Sequence, residues 1–101
     1  MTAHILLKKI DKNNCVTHSK KIINIIRKHI GYKNIIMTDD ISMKALKYDL
    51  VTNAKKSLAA GCNLVLYCAG NTRDNFKLIK TVPYIDKFTS KKTSEIYKIL
   101  R

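Results

Sequence analysis

The chain has 101 residues, 46% of them apolar, and carries 20 Lys and Arg against 7 Asp and Glu, which gives a formal net charge of +13. A chain of this length forms one domain at most, and its apolar share is typical of a globular rather than a disordered protein. Because no apolar run approaches the roughly 20 residues of a membrane-spanning helix and no signal peptide is recognisable, we expect a cytoplasmic protein with reduced cysteines and no membrane partner.

A strand and a helix are predicted first. Residues 1–7, MTAHILL, read as a strand that ends in polar groups. Residues 19–30, SKKIINIIRKHI, read as a helix, because four isoleucines recur at helical spacing. These four share one face of the helix: Ile22, Ile23, Ile26 and Ile30. Thr17 or Ser19 can cap its start, and Gly31 can close its end.

The same plan then recurs. A strand is predicted over residues 34–38, NIIMT, then a helix over residues 52–60 that ends at Gly61, then a strand over residues 63–68, NLVLYC. Strands this uniformly apolar are buried on both faces, as in parallel sheets covered by helices. Alternating strands and helices predict right-handed βαβ units. The last predicted elements are two weaker helical patterns on either side of Pro83, over residues 71–80 and 93–100.

The cysteines predict neither a disulfide nor a metal site. Cys62 and Cys68 are separated by a predicted strand, which places them about 20 Å apart, whereas a disulfide tolerates about 7 Å between Cα atoms. The same separation excludes a shared metal ion, so both are interpreted as small core residues. No metal site and no cofactor is predicted.

Two adjacent carboxylates, Asp39 and Asp40, follow the second predicted strand. They lie at the C-terminal edge of the predicted parallel sheet, where α/β proteins place their active sites. Asp40 can cap the turn that begins with ISMKAL. Asp39 would then point into the mouth of the sheet, where a carboxylate must be solvated, paired or used.

Three stretches resemble bacterial glycoside hydrolase family 3 β-N-acetylhexosaminidases. Residues 30–45, IGYKNIIMTDDISMKA, are similar to the family's nucleophile motif, L-G-F-x-G-V-[IV]-x-S-D-D-L-S-M-K-A. The opening MTAHI resembles the family's M-T-A-H-[IV] strand, and residues 60–66, AGCNLVL, resemble A-G-C-D-x-[VI]-L. Together the stretches cover residues 1–70. Three mild departures put Asn34, Thr38 and Asn63 where the family has Gly, Ser and Asp.

The resemblance implies an α/β fold, a partial (β/α)8 TIM barrel made of its last three parallel strands with their helices. Residues 1–101 would be a C-terminal fragment of the barrel, with the motifs in residues 1–70 and terminal helices in residues 71–101. A complete barrel needs about 200 residues or more, and Met1 coincides with an internal methionine of the family motif. We therefore expect the downstream piece of a split or decayed gene, or a misplaced start, with an upstream barrel fragment as a candidate partner.

The resemblance also implies a retaining hydrolase that cleaves O-glycosidic bonds of N-acetylglucosaminides in peptidoglycan or muropeptide recycling. Asp39 corresponds to the nucleophile. His4 corresponds to a family histidine at a strand end, and it is either a substrate-binding or a packing residue. The family's general acid/base and the Lys, His and Arg that hold the sugar precede the M-T-A-H strand, so we expect the chain alone to be inactive unless His4 or Asp74 takes over the acid's role. His18 and His29, at the two ends of the first helix, are interpreted as solvated.

The charge leaves one alternative open, a non-catalytic basic protein that binds nucleic acid or another anionic partner. However, 17 of the 20 basic residues are Lys, and the chain also has 14 Ile and 8 Asn. These three residue types share AT-rich codons, so drift in an AT-rich genome accounts for the charge without a ligand. The lysines are spread along the chain, and the arginine forks that read phosphate are few. We therefore do not expect nucleic acid as the partner.

Overall fold

Two short parallel strands with helices around them form the structure, a computed structural model that describes residues 1–101. After a 3-10 turn over Val16–His18, the elements in chain order are α1 (Lys20–Lys28), β1 (Met37–Asp40), α2 (Leu50–Ala60), β2 (Leu64–Leu66), α3 (Thr72–Thr81) and α4 (Lys87–Leu100). The α/β class and the alternation of strands and helices are as predicted. No helix combines the length and the apolar character needed to cross a membrane.

The two strands run parallel, with Met37 opposite Leu64 and an irregular register between Met37 and Asp40. The predicted N-terminal strand is reduced to one parallel bridge between Thr2 and Thr38. The N–H of Thr2 donates to the carbonyl of Met37 at 2.8 Å. The pairing stops there because the chain bends at His4, and the carbonyl of Ile5 accepts the N–H of Val16 at 2.8 Å instead of a hydrogen bond from β1. Three parallel segments therefore lie in the order N-terminus, β1, β2.

Capping residues set the helix boundaries, and two helices start earlier than predicted. The Asp49 side chain accepts the N–H of Thr52, so α2 starts at Leu50. Similarly, Asp86 accepts the N–H of Thr89, so α4 starts at Lys87 instead of residue 93. An aspartate at the N-cap satisfies an N–H that has no partner inside the helix.

The first helix is shorter than predicted. Ser19, one of the two predicted caps, accepts the N–H of Ile22 and starts α1. The helix ends at Lys28, and Ile30, predicted to belong to its buried face, is 71% exposed. Gly31 has a φ of +76°, which few other residues adopt, but it lies two residues beyond the C-cap His29, so it does not close the helix at the predicted position.

The apolar core consists of two small clusters. One joins α1 to the end of α2 through Ile23, Ile36, Ala60 and Cys62, and the other joins the loop after β1 to α2 and α3 through Ile41, Leu46, Ala54 and Leu78. Gly61 ends α2 with a φ of +115°, and a Cβ at this position would lie 2.8 Å from Cγ2 of Ile23. The close approach of α1 and α2 therefore depends on a glycine.

The prediction that the strand over residues 63–68 is buried on both faces is wrong. All three residues of β2 are only half-buried, and they line a groove of about 570 Å³ together with α3 and the turn at Pro83. Cys68, predicted to be a core residue, is exposed, whereas Cys62 is buried. A run of apolar residues predicts that a strand can be covered on both faces, but no element of this chain covers the second face of β2.

Candidate functional site

Asp39 and Asp40 are the last residues of β1, and Asp39 is half-buried. The strand covers Met37–Asp40 instead of the predicted residues 34–38. Both carboxylates therefore belong to the strand itself and not to the loop after it. The N–H of Asp39 donates to the carbonyl of Thr2 at 3.1 Å. The neighbouring parallel segment therefore fixes the backbone of Asp39 at the C-terminal edge of the sheet.

The carboxylate of Asp39 has one oriented and one free oxygen. Its Oδ1 accepts the N–H of Asp40 at 2.8 Å, and no group of the chain donates a hydrogen bond to Oδ2. The only ion pair of the chain joins Lys92 and Glu95, so Asp39 has no cationic partner within 4 Å. An oriented carboxylate with one unengaged oxygen can act as a nucleophile or accept a ligand hydroxyl.

Asp40, by contrast, has both carboxylate oxygens engaged within the protein. Oδ1 accepts the N–H of Ser42 at 3.0 Å and the N–H of Cys68 at 3.2 Å, and Oδ2 accepts the hydroxyl of Ser42 at 2.7 Å. Desolvation opposes ionisation, but these hydrogen bonds outweigh it and lower the pKa of Asp40 below its usual value. The predicted capping role of Asp40 is thus confirmed, although residues 41–46 form turns instead of a helix.

His4 lies against the end of β1, and both of its ring nitrogens are engaged. Nε2 is 2.8 Å from the carbonyl oxygen of Asp40, and Nδ1 is 2.8 Å from Oγ1 of Thr17. The structure therefore brings His4 to the segment that carries Asp39, as the resemblance implies. The predicted contact of His4 with a substrate stays a prediction.

Thr17 joins the N-terminal segment to the site, and sequence reasoning missed this role. The sequence indicates only that Thr17 can cap α1, whereas the structure buries its side chain completely. Its hydroxyl lies 3.0 Å from Oγ1 of Thr2, 2.8 Å from His4 and 3.2 Å from the carbonyl of Ala3. No feature of the sequence indicates these contacts, because they join residues that are 13 to 15 positions apart.

The other singled-out polar residues lie outside this arrangement. His18 is not solvated as predicted, because it packs on Tyr48 with ring centroids 6.0 Å apart, and desolvation lowers its pKa. His29 is exposed at the C-cap of α1, as predicted. Asp74 accepts the hydroxyl of Tyr67 at 3.2 Å. Nowhere in the chain do three His, Cys, Asp or Glu side chains come together in a way that could hold a metal ion.

The three departures from the family motif fit the structure. The hydroxyl of Thr38 accepts the N–H of Leu66 at 3.0 Å and joins the two strands where their register is irregular. Asn34 has a negative φ, because only glycines have a positive φ in this chain, so the conformational freedom of glycine is not needed at this position. Asn63 bonds three groups at the other end of the sheet, including the N–H of Ile36 at 2.9 Å.

The model of the glycosyl hydrolase family 3 N-terminal domain matches residues 1–96, well beyond the residues 1–70 that carry the motifs. A protein from Nitrosomonas eutropha named Beta-hexosaminidase is 39% identical over 70 residues, which are 67% of this chain and 20% of the relative. Proteins of the same name from Bordetella pertussis and Actinobacillus succinogenes are each 29% identical, over 76 and 93 residues. These two matches cover 73% and 85% of this chain and 22% and 27% of the relatives.

The chain thus spans 20–27% of the length of these curated relatives. The matches do not favour the alternative of a basic binding protein, because they follow a glycosidase family over nearly the whole chain. Residues 1–96 include all the strands and the end of β1 that holds Asp39. The chain therefore belongs to the glycosyl hydrolase family 3 N-terminal domain family.

Proposed function

We propose that this chain is the nucleophile-bearing part of a retaining β-N-acetylhexosaminidase, with Asp39 as the nucleophile. The family match and the relatives named Beta-hexosaminidase support the reaction class. The observation that carries the residue assignment is the difference between the two neighbouring carboxylates. Both oxygens of Asp40 are held within the protein, whereas Asp39 keeps one oxygen free at the C-terminal edge of the sheet.

The chemistry proceeds in two steps. In the first, the free oxygen of Asp39 forms a bond to the anomeric carbon as the bond to the leaving oxygen breaks, and an acid gives that oxygen a proton. In the second, water attacks the anomeric carbon, the same group now takes a proton from water, and the Asp39 carboxylate is released. The N–H of Asp40, 2.8 Å from Oδ1 of Asp39, fixes the direction of attack and stabilises the carboxylate both before attack and after release.

We assign the acid, and the groups that hold the sugar, to a further segment that completes a (β/α)8 barrel. In this assignment the Thr2 segment, β1 and β2 are consecutive barrel strands. The position of β2 at the edge of the sheet supports it, because β2 pairs only with β1 and its other edge is open to a further strand. The upstream part of such a barrel, in the same or a separate chain, is the proposed partner.

The proposed substrates are N-acetylglucosamine-containing glycans. The printed name of the relatives supports a hexosaminide, and the resemblance of the motifs supports fragments of peptidoglycan, recycled in the cytoplasm. No cofactor is required by this chemistry, because a carboxylate, an acid and water supply every bond change.

A chimaera tests the proposal. The stretch of the Nitrosomonas eutropha relative that this chain matches is replaced by the matching residues of this chain, and turnover of a chromogenic N-acetylglucosaminide is measured. We expect the chimaera to be active and Asp39→Asn to abolish its activity, while the fold, measured by thermal unfolding, is unchanged. The matched control is Asp49→Asn, which removes the same charge but retains a side chain that caps α2. A fully active Asp39→Asn chimaera would refute the assignment.

A further inference from the structure

We infer that His4 is a positioning residue, which orients the nucleophile by donating its Nε2–H to the carbonyl of Asp40, and that it does not bind the sugar. The role of the oriented segment rests on the proposed function. The hydrogen bond itself, at 2.8 Å, is a separate property of the fold.

The peptide group between Asp40 and Ile41 is held from two sides. Its carbonyl lies 2.8 Å from Nε2 of His4, and its N–H donates to the carbonyl of Leu66 at 2.9 Å. This peptide cannot rotate without breaking both bonds. Holding it restricts the backbone angles at Asp40, which link this peptide to the preceding one, whose N–H donates to Oδ1 of Asp39.

The hydrogen count determines the tautomer of His4. A carbonyl oxygen only accepts, so Nε2 must carry a hydrogen and the Nδ1 of a neutral ring must accept one. Thr17 has a single hydroxyl hydrogen, which Nδ1 receives at 2.8 Å in preference to the carbonyl of Ala3 at 3.2 Å. The hydroxyl of Thr2 then donates to Thr17 at 3.0 Å. In this assignment both ring nitrogens of His4 and both threonine hydroxyl hydrogens have a partner.

Both nitrogens are therefore occupied in the folded protein, and a sugar hydroxyl could bond His4 only by displacing Asp40 or Thr17. The nitrogen that faces away from the site is held by a completely buried hydroxyl, that of Thr17. A histidine with no free ring nitrogen contributes little to binding a sugar. A histidine that orients a backbone carbonyl, by contrast, needs both of its nitrogens to be hydrogen-bonded.

Two substitutions separate the two nitrogens of His4. The amide of glutamine reaches the position of Nε2 and can still donate to Asp40, whereas the shorter asparagine reaches only the position of Nδ1. In the chimaera described above, we expect His4→Gln to retain most of kcat. His4→Asn and His4→Ala should lower kcat by roughly 10- to 100-fold, because the nucleophile is misplaced, with KM nearly unchanged.

A role in packing or in bonding Thr17 predicts the reverse order, with His4→Asn the better variant, and a role in sugar binding predicts that KM rises for every variant. Either result overturns the inference. A readout free of activity is the nitrogen-15 spectrum of the His4 ring in the 101-residue chain, where we expect a protonated Nε2. A protonated Nδ1 with bare Nε2 contradicts the inference, whether or not Asp39 proves to be the nucleophile.

Discussion

The guanidinium of Arg27 donates to Oδ1 of Asn63 at 2.7 Å, at the end of the sheet opposite to Asp39. The same Oδ1 accepts the N–H of Ile36, and the amide nitrogen of Asn63 donates to Thr89 of α4 at 3.1 Å. Arg27 also donates to the carbonyl of Asn34 at 2.6 Å. One polar cluster therefore joins α1, the start of both strands and α4. At its centre is Asn63, where the family motif has an aspartate.

Removing the Asn63 side chain should destabilise the protein. Asn63→Ala leaves Nη2 of Arg27 and the N–H of Ile36 without this acceptor, so we expect a loss of about 1–3 kcal/mol in the free energy of unfolding. Asn24→Ala, on the exposed face of α1, is the control and should change stability by less than about 0.5 kcal/mol. Urea unfolding measures both, and equal effects would contradict the assigned contacts.

Two glycine substitutions distinguish backbone strain from steric conflict. Gly61 and Gly31 both have a positive φ, so alanine is strained at either position. Only at Gly61 does the new Cβ meet a neighbour, Cγ2 of Ile23 at 2.8 Å. We therefore expect Gly61→Ala to cost about 1–3 kcal/mol more than Gly31→Ala in thermal or urea unfolding. A smaller effect at Gly61 would mean that α1 and α2 are not packed this closely.

The three thiols should differ in reactivity. Burial raises the pKa of Cys62 to about 11, which leaves almost no thiolate at pH 8, whereas Cys68 is exposed. With a disulfide reagent at pH 8, we expect the fastest phase to come from Cys68 and Cys62 to react only on unfolding. In Cys68→Ser the fastest phase should disappear. Its persistence would place a reactive thiol elsewhere.

Asp11 should make stability depend on pH in the acid range. The hydroxyl of Ser19, at 2.6 Å, and the N–H groups of Asn13 and Asn14 lower the pKa of Asp11 from 3.8 to about 2. The folded state thus favours the ionised form, so the stabilisation is complete above pH 4 and disappears as pH falls towards 2. We expect the difference in urea midpoint between the native chain and Asp11→Asn to shrink between pH 5 and pH 2.5. A constant difference would contradict this role.

Local signals in the sequence predict where helices and strands lie better than they predict which elements pack against one another. Gly61 ends α2 as predicted, because a glycine after an apolar helical pattern acts through its own backbone. The early start of α4 was missed, although Asp86 offered a capping signal in the sequence. The half-open face of β2 was not predictable, since an apolar run does not say which element covers it.

For the candidate site, too, the sequence predicts the local features but not the contacts between distant residues. Two carboxylates at a strand end were identified from their position and from the family motif. The difference between them was only partly foreseen, because the engagement of Asp40 includes the N–H of Cys68, 28 residues away. The bond from His4 to Asp40 spans 36 residues. Such contacts depend on how the three parallel segments align, which periodicity does not specify.

The measurement that tests the assignment of Asp39 most directly is the capture of a covalent intermediate. The chimaera is incubated with an N-acetylglucosaminide that carries a fluorine substituent and a good leaving group. The fluorine slows the attack of water, so that the glycosyl-enzyme accumulates. Proteolysis and mass spectrometry then locate the sugar. We predict one added sugar, on Asp39, and the same label in the Asp49→Asn control. A sugar attached to Asp40 or to any other side chain, or turnover without a labelled carboxylate, would contradict the account.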